Sequence, residues 1–105
     1  MSPAPEEVTL ALLREWGLPD PGGSKKSRGQ VVVVGGSPRS PGAVLLSAEA
    51  TLRVGAGRTA LAVPAEIAPS LGPAMPEAGI HVLPAGSAPV DEALRATLES
   101  VDAVL

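Results

Sequence analysis

The 105-residue sequence has no cysteine, no phenylalanine and no tyrosine, and its one aromatic side chain is Trp16. Without cysteine there can be no disulfide and no thiolate metal site, which fits a reducing, cytoplasmic setting. Without aromatics there is no platform on which bases stack. The formal charge of −3 also opposes nucleic-acid binding across the whole sequence. No run approaches the roughly 18 continuous apolar residues of a membrane span. The opening MSPAPEEVTL has neither the basic region nor the long apolar region of a signal peptide. The chain is therefore expected to meet neither membranes nor nucleic acid.

What is present is 45% hydrophobic, with 12 Gly and 12 Pro. A core without Phe or Tyr must be built from Val, Leu, Ile and Ala, which favours thin layers packed on small residues. A chain this long buries roughly 65% of its extended surface and makes one small domain at most. The charge is unevenly spread. Residues 25–58 hold six bases, Lys25, Lys26, Arg28, Arg39, Arg53 and Arg58, against Glu49 alone, a net +5 that leaves −8 elsewhere. A basic segment around a glycine-rich turn suits an anionic ligand, although a solvated basic surface would give the same pattern.

Apolar spacing divides the chain. Val8, Leu12 and Trp16 recur at i, i+4 and i+8, predicting a helix over 7–16. The turn-rich 17–30 segment is a loop leading into the first core strand. Val31 to Val34 is an unbroken β-branched run, the mark of a strand buried on both faces in a parallel sheet. A helix is predicted from Gly42 or Ala43 to Val54, with Leu45, Glu49 and Leu52 on one line and Leu46, Ala50 and Val54 near another. Gly55 and Gly57 stop it. Strands are predicted at 58–64, 79–84 and 102–105, a short helix at 65–71 and a stronger one at 90–98, with Asp91 and Glu92 in its first turn, where the dipole favours acids. Strands alternating with helices imply an α/β fold with a mostly parallel sheet covered on both faces. The apolar DAVL at 102–105 leads to the expectation that the chain is the N-terminal part of a longer domain.

The segment GGSPRSPGAV, 35–44, joins a parallel strand to a helix, so it lies at the carboxyl edge of the sheet, where open α/β folds bind ligands. Gly36 lets backbone approach a ligand closely, and the N-terminus of the following helix offers unpaired N–H groups. The loop is neither a Walker A loop, for want of Gly-Lys-Ser/Thr, nor a G-x-G-x-x-G fingerprint. GAGRTA at 55–60 follows a helix and precedes a strand, the wrong order for such a fingerprint. Candidate contacts for a ligand's phosphates are Lys25 and Arg39. Ser37 and Ser40 have no base beside them. His81 reads as a sheet-face residue without metal-ligand partners. A purely structural turn remains an alternative.

Residues 25–64 carry a longer pattern: Lys25, Gly29, Gly35-Gly36-Ser37, Gly42-Ala43, and Arg53 with Gly55-Ala56-Gly57. In this it resembles the start of the ADP-dependent NAD(P)H-hydrate dehydratases, the C-terminal module of YjeF-type proteins. PAMPEAGIHVLP and VDAVL extend the similarity to the end of the chain. The resemblance implies a three-layer α/β/α ribokinase-like fold, here stopping after about four strands, and residues 1–105 as part of a single dehydratase domain. It implies a lyase that repairs hydrated NADH or NADPH, with ADP (ATP in eukaryotic relatives) activating the added hydroxyl and Mg2+ as its companion ion. It places Ala43 and neighbouring Gly42 at the hydrated nucleotide, and Gly36 and Ser37 of the same loop are further candidates for the substrate site. The family's catalytic aspartate, in Gly-x-Gly-Asp, and its nucleotide-phosphate loop have no counterpart here. No catalytic residue is therefore assigned, and the chain alone is expected to be inactive. A homo-oligomer and an NAD(P)H-hydrate epimerase, as partner or fused domain, complete the expectation. The alternatives are a ribokinase-like small-metabolite kinase and a noncatalytic ligand-binding module.

Overall fold

The computed structural model describes residues 2–105. Four strands and four helices alternate: α1 Leu10–Trp16, β1 Gln30–Val34, α2 Gly42–Arg53, β2 Arg58–Val63, α3 Ala68–Ala74, β3 Gly79–Val82, α4 Glu92–Ser100 and β4 Ala103–Val104. The strands form one sheet in the order β3-β2-β1-β4, and every neighbouring pair is parallel. The α/β class and the parallel valine strand follow the sequence reading.

The pleat explains the two cores. Val33 faces one side, packing with Leu61 and Val63 of β2, Val44 and Ala48 of α2, and Ile67, Leu71 and Met75 around α3. Val32 faces the other, with Ala62 and Leu94 of α4. Leu94 is 1% exposed, and burying such a side chain contributes about 2 kcal/mol. The distribution of helices follows from connection handedness. The chain steps from β1 to β2 to β3 in one direction, so α2 and α3 cover one face. It then reverses to β4 on the far side of β1, and a crossover of the same hand must pass over the opposite face, where α4 lies.

Several elements differ from the sequence reading. The first helix starts at Leu10, because the Thr9 hydroxyl accepts the Leu12 N–H at 3.1 Å and caps it there. Its apolar side chains do not face a core: Leu10 and Trp16 are 63% and 65% exposed. In α2 the buried pair is Val44 and Ala48, whereas Leu46 and Val54 are exposed. This i, i+4 pair lies on β1 and β2, and Leu45 and Leu52 of the predicted line pack half-buried beside it. The third helix lies three residues later than expected, since Pro64 turns the chain by accepting the Ile67 and Ala68 N–H groups. Pro69 then fits the first turn, where no donor is needed. Asp91 precedes α4 as its cap, accepting the Leu94 N–H at 2.8 Å.

Candidate functional site

The strand order reverses at β1, which leads to β2 on one side and receives β4 on the other. The carboxyl end of β1 is thus a topological switch point, the crevice where open α/β sheets take ligands. The 35–41 loop springs from it. Gly35 N–H donates to Ala62 O at 3.1 Å, tying the loop's first residue to β2. Gly36 follows at φ 90°, a conformation side-chain-bearing residues rarely adopt. A Cβ on Gly36 would sit 2.7 Å from Ile67 Cδ1 and 3.5 Å from Val44 Cγ1. Ser40 N–H donates to both Ser37 O, at 3.0 Å, and Ser37 Oγ, at 3.2 Å, closing the tip of the loop.

The loop delivers the chain to the N-terminus of α2. Pro41 occupies the cap position, makes no side-chain hydrogen bond, and no acid stands in the first turn. Of the two longer helices, α4 is closed by Asp91 with Glu92 behind it, while α2 presents its first N–H groups without a side-chain acceptor. These donors and the helix dipole favour an anion or an amide. Gly42 and Ala43 are exposed, and nothing lies within 4 Å of a Cβ built on Gly42. Gly36, Ser37, Gly42 and Ala43 therefore meet at one corner, with Arg39 exposed at its tip and in no ion pair among the described residues.

Lys25 is not part of this corner. It precedes β1 at the amino edge, and the five residues of β1 put roughly 16 Å of strand between it and the loop. There Gly57 N–H donates to Gly29 O at 3.0 Å, and a Cβ on Gly57 would land on the Lys25 carbonyl. The Lys-x-x-x-Gly and Gly-Ala-Gly parts of the sequence pattern thus pack against each other. Arg53 pairs with Glu49 at 2.8 Å on the surface of α2. His81 Nε2 lies 3.1 Å from Thr97 Oγ1, linking β3 to α4 as a sheet-face residue. Sequence reasoning missed Ile67 and Val44, which sit beneath the loop. Only the apolar character of these two positions hinted at burial.

Two concavities flank the sheet ends. One of about 310 Å³ opens at the amino edge, lined by Gln30, Arg58, Glu77, His81, Thr97 and Ser100 among others. One of about 290 Å³ lies at the carboxyl edge, between Pro64–Glu66 and Leu83–Ala85. The larger is at the edge away from the glycine loop and has no helix N-terminus facing it. Switch-point topology and open donors single out the carboxyl edge. No group of three or more His, Asp or Glu side chains suited to a metal ion occurs among the described residues. No helix among them is long and apolar enough to cross a membrane.

A parallel sheet covered on both faces, with a glycine corner at its switch point, defines a ligand-binding α/β domain. A ribokinase-like superfamily protein of Enterococcus faecalis V583 superposes on 83% of this chain and 29% of its own, with a TM-score of 0.64 at 26% identity, placing the fold in the ribokinase-like class. The profile of the NAD(P)H-hydrate dehydratase family matches residues 31–105, and the chain belongs to that family. It is 55% identical over 76 residues to an ADP-dependent (S)-NAD(P)H-hydrate dehydratase of Xanthomonas campestris pv. campestris, a match covering 72% of this chain and 26% of the relative. It is 43% identical over 79 residues to a bifunctional NAD(P)H-hydrate repair enzyme Nnr of Thermanaerovibrio acidaminovorans, covering 75% and 15%. The chain thus spans about a quarter, or less, of the length of these curated relatives.

Proposed function

We propose that this chain forms the substrate wall of a cytoplasmic lyase that dehydrates hydrated NADH or NADPH, with ADP as the activating nucleotide. The observation that carries this reading is the uncapped N-terminus of α2 behind the positive-φ Gly36, at the switch point. The hydrated nucleotide is an anion, and the corner offers backbone donors, helix-dipole potential, and open space at Gly42 beside the exposed Ala43. Gly36, Ser37, Gly42 and Ala43 would line it, with Arg39 reaching a phosphate. ADP, when bound, would convert the added hydroxyl into a leaving group. This chain's part is to orient the hydrated nucleotide while that happens. No Gly-x-Gly-Asp segment occurs in the 105 residues, so the catalytic acid–base work and the handling of ADP and Mg2+ fall to residues of the kind its relatives carry elsewhere. An epimerase partner fits the bifunctional relatives, and a homo-oligomer is part of the proposal.

The test is a chimera in which residues 31–105 replace the matching segment of the Xanthomonas campestris relative. ADP-dependent conversion of hydrated NADH to NADH is expected, followed at the absorbance of the reduced nicotinamide. Ala43→Glu should then weaken hydrate binding by at least about tenfold, since it adds bulk and negative charge at a helix N-terminus. A chimera without turnover, or unchanged affinity in the variant, would refute the reading. A ribokinase-like kinase is the second reading, since the fold shared with the Enterococcus neighbour does not by itself fix the reaction. It would instead transfer a phosphoryl group to a small hydroxylated metabolite. The noncatalytic module would bind without turnover.

A further inference from the structure

We propose that Ile67, in the loop between β2 and α3, is a positioning residue for the substrate corner. This rests on the reading of that corner given above. The 36–44 segment touches the core at its two ends. At its entry, a Cβ on Gly36 would come within 2.7 Å of Ile67 Cδ1 and 3.5 Å of Val44 Cγ1, so backbone rests directly on the isoleucine tip and the valine. At its exit, Val44 is 4% exposed and directly follows Ala43. Ile67 is 5% exposed and belongs to the same buried cluster as Val44. Between these ends, none of residues 37–43 is buried: each is half-buried or exposed. The height of Gly36 above the sheet, and with it the placing of Ser37 and Ala43, is thus set by what fills the space beneath. Ile67 is itself held firmly, its N–H donating to Pro64 O at 3.2 Å while its own carbonyl accepts the Ser70 N–H at 3.1 Å and the Ser70 hydroxyl at 2.8 Å. A loop that rests on a buried side chain from another segment takes part of its binding geometry from outside its own residues.

Ile67→Ala removes the prop and lets Gly36 sink. In the chimera, the KM for hydrated NADH should rise about tenfold with kcat within about twofold. Ile67→Val, which keeps the branched β-carbon and loses only the δ-methyl, should fall between. The comparison variant is Leu71→Ala, since Leu71 is 2% exposed in the same core and supplies none of the atoms nearest to a Cβ on Gly35 or Gly36. It should lower thermal stability to a similar degree and leave KM unchanged. Amide shifts recorded on the 105-residue chain give an activity-independent readout: Ser37, Gly42 and Ala43 should move in Ile67→Ala and stay in Leu71→Ala. The clash supplies a further readout, because Gly36→Ala should be less disruptive in the Ile67→Ala background than alone. Equal KM in Ile67→Ala and Leu71→Ala, or unmoved amides at 37–43, would overturn the proposal. A chimera without turnover would sink the dehydratase reading alone, and the amide shifts would still decide the role of Ile67.

Discussion

The two edges of the sheet use glycine to opposite ends. At the amino edge, Gly57 is pressed against the Lys25 carbonyl, and the 25–29 segment is tied to it through the Gly29 carbonyl. Space is consumed there. At the carboxyl edge, Gly36 rests on Ile67, and the loop beyond it opens onto Gly42, where a Cβ would meet nothing within 4 Å. Space is kept there, beside an uncapped helix. At the amino edge glycine lets two backbone segments pack, and at the carboxyl edge it shapes an open loop. The helix ends repeat the contrast. Helix α4 has Asp91 as a cap, which closes its N-terminus, whereas α2 has Pro41, which leaves the donors open.

The contrast is sharpest at Gly57. Its replacement by Ala drives a methyl into backbone that cannot rotate away, and a loss of about 3 kcal/mol is expected. Thermal unfolding of the 105-residue chain would measure it, and an unchanged midpoint would mean that the Lys25 segment does not pack as described. Gly36→Ala should cost less, about 2 kcal/mol, because the backbone strain at positive φ is added to a clash with a side-chain tip that can move. Urea unfolding would rank the two. Asp102 accepts the Gln30 N–H at 2.8 Å and so pins the start of β1 to the approach of β4. Asp102→Ala should cost about 1 kcal/mol, with faster amide exchange at Gln30 as its local mark. Gly42→Ala should change stability least, by no more than about 0.5 kcal/mol, since its Cβ meets nothing. If the corner binds the hydrated nucleotide, the same variant should lose about tenfold in affinity in the chimera. A variant that loses stability at Gly42 but not affinity would erase the distinction between the edges.

Much of this was legible along the chain. Four consecutive β-branched residues cannot settle into a helix as easily as into a strand, and without polar alternation such a strand must be covered twice; Val32 and Val33 are 0% and 3% exposed on opposite faces. Proline and glycine at 41–42 marked the start of α2, and the strand-to-helix order placed the glycine loop at the ligand-binding edge. Other features depended on partners distant in sequence. The periodicity of 7–16 was real, yet nothing in it said that the apolar side of α1 would remain exposed. Amphipathic spacing specifies a face and not what will cover it. In α2, several lines of apolar residues were available, and Val44 with Ala48 was chosen by the sheet beneath them. Lys25 and Arg39 read alike as basic residues near glycines, yet the strand predicted between them already set them at opposite ends of β1, and the structure adds that Lys25 packs through its carbonyl on Gly57.

The sequence by itself determined the alternation of strands and helices, the parallel sheet, and the glycine loop at its carboxyl edge, because β-branching, turn chemistry and helix-end preferences act over a few neighbouring residues; the family was legible through the resemblance of its spaced motif. The tertiary structure alone pressed Gly57 against the Lys25 carbonyl, and it alone brought Ile67 beneath Gly36, 31 positions earlier in the chain. Such contacts arise when the crossovers fold back over the sheet. Their physical cause is the exclusion of one backbone by another atom's volume, which has no local signature in the chain.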